Sequence, residues 1–459
     1  SAIYNSLLQQ QLEVTSEEDY SETLEDLRNK QWRNKAVNDT YEPGSTYKIL
    51  TLAMALEEGV VTKNSTFNCT GSVRVGVETI HCSKRAGHGT QDLTTATANS
   101  CNPAFINMGL RIGADTYYDY MDAFGLFEPT GVDLPGEAEG IPADRETFTS
   151  SDIYVACYSF GQTFTVTPLQ LIAAQAACIN GGYLYTPYVV EQVKDSNGNV
   201  ISQHDATPVR QVISEETSAT VREILEYVVS DGTGKNGQVA GYRIGGKTGT
   251  ADKTGTKDVV VSFLCFAPAD DPQIIMLLTL DTPGRDTGTY VSGGNMVAPT
   301  AGEIMADILP YLGIEPQYTA EELVGADATV PNVVGMTEEA AEARLAEYGF
   351  TDYRVVGEGD TVTDQTPLGG AIVPNNAEII LYMGEEKPDT LCTVPYVVGM
   401  SASKANEAIT NAGLIMKVIG ATDQSSSTVI AISQNYAEGT QLDAGSVVEV
   451  RFGDTSVRD

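Results

Sequence analysis

The chain of 459 residues has no run of eighteen or more apolar residues, the length that a membrane-spanning helix requires. Its longest apolar stretches, residues 259–267 and 274–280, are short and predict buried strands. A charged segment followed by an apolar leader is also missing. We therefore expect the chain as given to be soluble, with any membrane anchor of the native protein lying outside it.

Basic residues are scarce, with 27 Lys and Arg against 62 Asp and Glu and a formal net charge of -35. Because nucleic-acid binding needs basic surface that neutralises phosphates, this balance argues against a nucleic-acid partner. The acidic excess by itself bears on solubility and not on the fold. The hydrophobic content of 42% and the length indicate a globular protein of about two to four domains.

Cysteine is sparse, since seven residues are spread over the whole length, which excludes a disulfide-rich scaffold. Cys157, Cys178 and Cys265 lie in apolar stretches and are interpreted as core thiols. The cysteine content therefore leaves the redox compartment open.

A separate group of cysteine and histidine residues falls within twenty residues of sequence: Cys69, His81, Cys82 and His88. Such side chains can bind zinc tetrahedrally, although the spacing of the two cysteines is not that of a standard zinc finger. One hypothesis is a structural metal site formed by Cys69, Cys82 and His88, with a carboxylate as a further ligand. A Cys69–Cys82 disulfide across a hairpin and unlinked thiols are the two alternatives.

Helices and strands alternate from about residue 100 to about residue 315, a pattern typical of a layered α/β domain. Residues 1–36 are polar and predict helix, and residues 60–100 predict a hairpin excursion. The apolar stretches 259–267 and 274–280 are separated by a short Pro-containing turn, which predicts an antiparallel pair of strands.

An internal repeat begins beyond residue 325, where residues 330–336 recur as residues 394–400 with a period of 64. An amphipathic helix follows each copy, over residues 337–348 and 401–412, and short strands come after it. Each copy therefore predicts a βαββ unit, and the Pro-containing linker 385–390 separates the two.

A serine and a lysine three residues apart, Ser45 and Lys48, precede the apolar residues 49–56, which predict a buried helix with Ser45 at its N-terminus. On a helix the two side chains share one face. Burial disfavours the ammonium form of Lys48 and so favours a base, while the helix N-terminus supplies N–H groups for an oxyanion. This pair alone is a weak signal, because a helix cap beside a surface lysine gives the same pattern.

Two further motifs strengthen the interpretation of Ser45 and Lys48 as a nucleophile and its base. Residues 100–103, Ser-Cys-Asn-Pro, lie in a predicted loop between two helices, and residues 247–250, Lys-Thr-Gly-Thr, lie in a strand context. Taken alone, the first indicates a helix cap and the second a turn with a solvated lysine. The three motifs in this order match the signature of active-serine, penicillin-recognising enzymes.

With these motifs the sequence resembles a class B penicillin-binding protein of the division or sporulation type. Other stretches that carry the resemblance are residues 41–50, 87–89, 131–136, 159–162 and 165–170. The two C-terminal repeats resemble PASTA modules. The resemblance implies an α/β penicillin-binding transpeptidase fold, an antiparallel sheet flanked by helices, over residues 1–318. The two small βαββ PASTA domains would follow at 327–386 and 391–455.

The resemblance also implies catalytic roles. Ser45 would attack the penultimate D-Ala carbonyl of a stem peptide that ends in D-Ala-D-Ala, and Lys48 would take its proton. Ser100 would relay a proton to the leaving amine, and Asn102 would orient Lys48 and the substrate amide. The N–H groups of Ser45 and Thr250 would form the oxyanion hole.

The third motif would bind the substrate through Lys247, Thr248, Gly249 and Thr250. Lys247 would assist electrostatically near Ser100, and the two threonines would bind the substrate carboxylate. The implied partners are peptidoglycan stem peptides, β-lactams that acylate Ser45 and a membrane glycosyltransferase. The implied location is the extracytoplasmic face of the bacterial membrane, and catalysis needs no cofactor.

Two departures from the family pattern stand out. Cys101 occupies a position where Asp or Ser is commoner, and it is not expected to touch the chemistry. Upstream of Tyr41 the opening helix and strands of the fold are not recognisable, nor are the pedestal domain and membrane anchor, so the sheet is expected to be incomplete or divergent there.

Rival functions are a β-lactamase or D,D-carboxypeptidase, which pass the acyl group to water, and a non-catalytic β-lactam sensor or cell-wall-binding protein. A β-lactamase of class A requires a positioned glutamate. Glu137 and Glu139 lie between the second and third motifs, but no partner asparagine has the required spacing.

Overall fold

The computed structural model describes residues 28–29, 31–253, 255–285, 289–317, 327–384, 391–420 and 428–457. The helices are α1 Lys35–Asn38, α2 Lys48–Glu57, α3 Leu93–Ala98, α4 Asn102–Ile112, α5 Ala114–Ala123, α6 Arg145–Thr149, α7 Asp152–Tyr158, α8 Pro168–Ile179, α9 Glu215–Ser230, α10 Gly293–Met296, α11 Ala298–Tyr311, α12 Glu338–Glu347 and α13 Ala402–Asn411. Short 3-10 turns cover Gly44–Tyr47 and Lys235–Gly237. Among these described residues no helix is both long and apolar enough to cross a membrane. Most of the polar segment 1–36, predicted to be helical, lies outside them.

The strands are β1 Thr66–Cys69, β2 Ser72–Val75, β3 Glu78–His81, β4 Gly89–Asp92, β5 Tyr183–Leu184, β6 Gln192–Lys194, β7 Val200–Gln203, β8 Arg210–Gln211, β9 Gly245–Asp252, β10 Val259–Ala267, β11 Ile274–Asp281, β12 Asp327–Thr329, β13 Tyr353–Val356, β14 Val362–Thr366, β15 Ile372–Pro374, β16 Ile379–Met383, β17 Leu391–Thr393, β18 Ile415–Gly420, β19 Val429–Gln434, β20 Gln441–Asp443 and β21 Val447–Asp454. They alternate with the helices up to β11 and then form the two C-terminal repeats.

Helix α2 is the centre of the largest hydrophobic cluster, and its residues 48–55 are all buried. A helix that is apolar all round is stable only inside a core, and α4, α8 and α9 pack around this one. The predicted buried helix is confirmed. Ser45, however, lies in the 3-10 turn immediately before α2 and not in its first α-helical turn.

The central sheet of the first domain has the antiparallel order β11-β10-β9 within the described residues, and every residue of β10 is buried. Because side chains alternate between the two faces of a strand, Phe263 and Cys265 pack with α11 while Leu264 and Phe266 join the cluster around α2. The sheet is thus covered on both faces. The predicted antiparallel pairing of the two apolar stretches is confirmed.

The predicted hairpin excursion is confirmed by two antiparallel pairs, β2 with β3 and β1 with β4. Strands β1, β2 and β3 pack against α4, which is the helix that follows the second motif. The excursion therefore lies beside that motif.

Each C-terminal repeat has its own hydrophobic core and contains one helix, α12 or α13. Three strands form a mixed sheet, in the order β13-β16-β14 in the first repeat and β18-β21-β19 in the second. A further short pair, β12 with β15 or β17 with β20, brings the number of strands after each helix to four. Each repeat thus has more strands than the predicted βαββ pattern. The sequence did not indicate the extra strands, because strands of three residues give little periodic signal. The linker 385–390 lies outside the described residues.

The three predicted core thiols differ in burial. Cys178 and Cys265 are fully enclosed, and burial raises the pKa of both thiols. Cys157 is only partly buried at the end of α7. The prediction is confirmed for the first two, which contribute apolar volume to the clusters on either side of the sheet.

A glycine contact fixes the turn that carries Ser45. Gly161 has a φ of 82°, and a Cβ added there would lie 2.1 Å from the carbonyl oxygen of Gly44. The Gly44 N–H in turn donates to the Gly161 carbonyl at 2.8 Å. Only glycine allows the two backbones to approach this closely.

We expect Gly161→Ala to destabilise the protein by more than the ~1–2 kcal/mol that a left-handed backbone alone costs, because the new methyl group would also displace the Ser45 turn. Gly198→Ala is the matched control, since Gly198 has a similar φ of 85° but nothing within 4 Å of its added Cβ. Chemical denaturation would compare the two variants. Equal losses of unfolding free energy would contradict the proposed clash.

Candidate active site

Ser45 is half-buried in the 3-10 turn Gly44–Tyr47, at the N-terminal end of α2. The turn is held by the Thr46 hydroxyl, which donates to the Pro43 carbonyl at 2.8 Å, and by the Gln175 amide, which donates to the Thr46 carbonyl at 2.9 Å. These contacts fix the backbone on both sides of the serine and leave its hydroxyl facing Lys48.

Lys48 has no exposed surface, and its Nζ has four polar neighbours. Nζ lies 3.0 Å from Ser45 Oγ, 2.8 Å from the Ser100 carbonyl oxygen, 3.0 Å from Ser100 Oγ and 2.7 Å from Asn102 Oδ1. A buried amine is costly unless it is hydrogen-bonded, and these oxygens meet that requirement. The first two predicted motifs therefore meet at one nitrogen atom.

Ser100 has a φ of 51°, a left-handed conformation that is unusual for a residue other than glycine. Such strain persists only where surrounding contacts hold it, and it concentrates at functional sites. Here the conformation places Ser100 Oγ between Lys48 Nζ at 3.0 Å and Lys247 Nζ at 2.9 Å. The serine thus connects all three motifs.

Asn102 begins helix α4, so the predicted interhelical loop is shorter than expected and ends at Cys101, the N-cap residue. Pro103 explains the difference, because proline is well suited to the first turn of a helix. The Asn102 side chain accepts from Lys48 through Oδ1 and donates through Nδ2 to the His81 carbonyl at 3.0 Å. The orientation of the amide is therefore fixed by the hairpin β2–β3.

Lys247 is fully buried in β9, and its Nζ also donates to the Thr248 carbonyl at 3.0 Å. In the described part of the sheet β9 pairs with β10 alone, and its other side packs against the Ser45 turn. A Cβ added at Gly249 would lie 2.6 Å from Ser262 Oγ and 3.0 Å from Thr46 Cγ2. The glycine thus allows the strand to approach the nucleophile closely.

The two threonines of the third motif are in different states. Thr248 Oγ1 donates to Thr233 Oγ1 at 2.8 Å, a partner that no spacing in the sequence indicated. Thr250 Oγ1 is buried and has no hydrogen-bond partner within the part of the chain that the structure describes. A buried unsatisfied hydroxyl in a native site calls for an explanation, and a ligand acceptor or donor supplies one.

A compact cluster of four side chains, here called the Cys/His cluster, consists of Cys69, Cys82, His88 and Cys101. Their ligand atoms all lie within 4.8 Å of one another, and Cys82 Sγ is 3.5 Å from His88 Nδ1. All of these cysteines are free, so of the alternatives that the sequence left open the Cys69–Cys82 disulfide is not formed. His81 does not belong to the cluster.

The fourth member of the cluster is Cys101 and not the carboxylate that the sequence led us to expect. A hydrogen bond from the Cys101 thiol lowers the pKa of Cys82 to about 3, and the same bond, together with burial, raises the pKa of Cys101. The departure at Cys101 from the commoner Asp or Ser was the signal that could have identified it.

Comparison with known protein families matches residues 8–306 to the penicillin binding protein transpeptidase domain. Residues 328–385 and 393–454 each match the PASTA domain. Among solved structures, penicillin binding protein 3 from Mycobacterium tuberculosis, complexed with ampicillin, has a TM-score of 0.59 at 28% sequence identity. The match covers 65% of this chain and 68% of that one.

Two curated relatives extend the comparison. Stage V sporulation protein D from Bacillus subtilis is 40% identical over 368 residues, which cover 77% of this chain and 55% of the relative. The peptidoglycan D,D-transpeptidase FtsI from Escherichia coli is 32% identical over 290 residues, 62% of this chain and 46% of the relative. The chain thus spans about half the length of these relatives. Because the transpeptidase match covers well over half of the chain, the protein belongs to the penicillin-binding protein transpeptidase family and carries two PASTA domains.

Proposed function

We propose that this protein is a peptidoglycan D,D-transpeptidase that cross-links stem peptides through an acyl-enzyme on Ser45. The observation that carries the proposal is a continuous chain of four polar atoms. Ser45 Oγ lies 3.0 Å from Lys48 Nζ, which lies 3.0 Å from Ser100 Oγ, which lies 2.9 Å from Lys247 Nζ. A nucleophile within reach of a base that is itself oriented by further groups is what covalent acyl transfer requires.

In the first step Ser45 Oγ attacks the penultimate D-Ala carbonyl carbon of a stem peptide, and its proton passes to the amine form of Lys48. The N–H groups of Ser45 and Thr250 bind the oxyanion that develops on the carbonyl oxygen. The C–N bond to the last D-Ala then breaks. Ser100, in contact with both lysines, delivers the proton to the leaving amine, and Asn102 orients Lys48.

The third motif binds the carboxylate end of the donor. Lys247 supplies positive charge next to Ser100. The Thr250 hydroxyl binds the substrate carboxylate, and the Thr248 hydroxyl joins it by turning its proton from Thr233 to the ligand. The unpartnered Thr250 hydroxyl supports this assignment, since a carboxylate oxygen would satisfy it. Gly249 keeps the strand close to the Ser45 turn. A β-lactam, which presents a strained amide and a carboxylate, acylates the same serine.

In the second step the amine of a neighbouring stem peptide attacks the acyl-enzyme and forms the cross-link. Hydrolysis is the rival outcome, and Glu137 and Glu139 were the glutamates considered as its base. The Glu137 carboxylate instead accepts from the Thr130 N–H at 2.8 Å, the Thr130 hydroxyl at 2.5 Å and the Gly131 N–H at 3.1 Å. These three hydrogen bonds hold the carboxylate within its own loop and occupy the oxygens that would activate a water molecule. This favours an amine over water as the acceptor of the acyl group.

Names of the relatives support the wider assignment. The transpeptidase domain takes in residues 1–318 and the PASTA domains residues 327–386 and 391–455, close to the ranges that the family comparison matches. The name of one relative, peptidoglycan D,D-transpeptidase, supports peptidoglycan as the substrate. This function corresponds to a location at the extracytoplasmic face of the membrane, beside a membrane glycosyltransferase.

Catalysis needs no cofactor, but the Cys/His cluster is suited to a structural zinc ion. Three thiols and one imidazole are a common zinc ligand set, and the ligand atoms already lie within 4.8 Å of one another. Cys101 follows Ser100 and precedes Asn102, while Cys69 and Cys82 belong to the hairpin excursion. A metal there would join the excursion to the second motif and hold the strained Ser100 in place.

Ser45→Ala should abolish covalent labelling by benzylpenicillin, slowing acylation by roughly a thousandfold or more, because the hydroxyl that forms the acyl bond is lost. Intact-mass spectrometry with peptide mapping should find one adduct on Ser45 in the unchanged protein. Ser230→Ala, an exposed serine at the end of α9, is the control and should label normally. Undiminished labelling of Ser45→Ala would overturn the assignment of the nucleophile.

Glu137→Gln should leave the lifetime of the penicilloyl adduct within about twofold of the original, while lowering the unfolding free energy by ~1–2 kcal/mol through weaker hydrogen bonds to Thr130 and Gly131. Adduct decay and chemical denaturation measure the two effects. Rapid turnover of penicillin by the unchanged protein, slowed strongly in the variant, would favour the hydrolase. Acylation by a stem-peptide donor without amide product, in the presence of an acceptor amine, would favour the sensor.

Purified protein should contain about one zinc ion per chain, and Cys101→Ser should reduce the content several-fold, because one of four ligands is lost. Elemental analysis measures both. Cys157→Ser, which changes a cysteine outside the Cys/His cluster, should keep its metal. Less than about a tenth of a mole of zinc per mole of unchanged protein, prepared without chelators, would remove the metal proposal.

A further inference from the structure

A short segment between α9 and β9, residues 231–237 and here called the connector, touches two of the catalytic motifs. The Thr233 N–H donates to the carbonyl of Ala98, the last residue of α3 before Ser100, at 3.1 Å. The Thr233 hydroxyl accepts from Thr248 Oγ1 at 2.8 Å. Thr233 is almost fully buried, so its position depends on what holds the rest of the connector.

The other end of the connector is held by the second PASTA domain. The backbone N–H of Asp454, the last residue of β21, donates to Asn236 Oδ1 at 2.7 Å, and Asn236 Nδ2 lies 3.3 Å from the Asp454 carbonyl oxygen. Nδ2 also donates to the Gly294 carbonyl at 3.0 Å. The Asp454 carboxylate forms an ion pair with Lys235. Asn236 is thus clamped between the repeat and helix α10.

Two charged residues of β21 are buried in this contact, Arg451 with 6% and Asp454 with 4% of their surface exposed. Arg451 Nε lies 2.6 Å from Glu303 Oε1 of α11, as an ion pair without hydrogen-bond geometry, and Arg451 Nη1 donates to the Pro299 carbonyl at 3.3 Å. Buried charges are strongly destabilising unless they are paired. The pairing therefore specifies one docked arrangement of the repeat.

Asp454 is ionised in this arrangement. Burial alone would raise the pKa of its carboxyl group, but hydrogen bonds with Lys235 and Ser456 outweigh burial and lower the pKa to about 2. The ion pair with Lys235 is therefore present at neutral pH.

Beyond β21 the chain continues along the same surface. Asn295 Nδ2 donates to the Val457 carbonyl at 3.1 Å, and a Cβ added at Gly294 would lie 2.7 Å from Val457 Cγ1 and 2.5 Å from the Thr233 carbonyl oxygen. A Cβ at Gly293 would lie 2.1 Å from the Ser262 carbonyl oxygen. The end of the repeat, α10 and the central sheet are therefore stacked in direct contact.

From these contacts we propose that Asp454 is a positioning residue for the substrate-carboxylate site, acting through the connector on Thr248. The route has three contacts: Asp454 fixes Lys235 and Asn236, the connector fixes Thr233, and Thr233 holds the Thr248 oxygen at 2.8 Å, in place to turn its proton to the carboxylate. This inference rests on the proposed transpeptidase function and adds to it. The second PASTA domain thereby helps to position the donor-binding site from outside it.

The test uses the full chain with Asp454→Asn and measures the second-order rate constant of Ser45 acylation by benzylpenicillin and by benzylpenicillin methyl ester. We expect roughly a tenfold loss with the acid and less than about a twofold loss with the ester, because only the acid presents the carboxylate that Thr248 binds. A general loss of structure would lower both rate constants alike.

Thr233→Val removes the contact with Thr248 at the other end of the route. It should lower the acylation rate constant for the acid and not for the ester, as Asp454→Asn does. If the two residues act through one connector, the double variant should lose no more than the more affected single variant. The matched control is Asp443→Asn, the same substitution at an exposed position of the same repeat, which should leave both rate constants unchanged. Lys235→Met removes the transpeptidase-side partner of the Lys235–Asp454 ion pair. This variant takes the place of Asp454→Asn in the experiment if Asp454→Asn does not fold.

Equal losses with acid and ester, or no loss with either, would overturn the positioning role while leaving Ser45 acylation intact. Additive losses in the double variant would overturn the route through the connector. Failure of the unchanged protein to be acylated at all would instead overturn the proposed function, so the two failures are distinguishable.

Discussion

The complete burial of the Lys48 amine is the constraint on which the rest of the active site depends. An amine in a helix that is otherwise apolar must find acceptors or destabilise the core. It finds them on Ser45, Ser100 and Asn102, which come from two separate segments of the chain. Burial of this helix and assembly of the active site are therefore linked, because the buried Lys48 amine needs the oxygens of the second motif beside it.

The second motif is held in its strained geometry from several directions. Lys48 and Lys247 approach the Ser100 hydroxyl, the hairpin β2–β3 binds the Asn102 amide, and Cys101 is enclosed with the thiols of the hairpin excursion. A left-handed serine costs free energy that these contacts offset. The excursion is thus a support for the active site.

The second C-terminal repeat contacts the transpeptidase domain through hydrogen bonds and ion pairs. The second repeat presents buried charges to the transpeptidase domain, and each is paired there. The connector lies between this interface and β9, so the docked repeat and the third motif contact the same short segment of chain. This interface contains both acidic and basic residues, unlike the chain as a whole, in which acidic residues are in large excess.

The sequence by itself determined the family, the buried helix after Ser45, the antiparallel strands and the two repeats, because these depend on local periodicity and on short motifs. Membership of Cys101 in the Cys/His cluster, the partner of Thr248 and the engagement of Glu137 were decided by the tertiary structure alone. Those contacts join residues whose separation along the chain carries no periodic signal. Only the packing of α4 against the hairpin, and of the connector against β9, brings them within bonding distance.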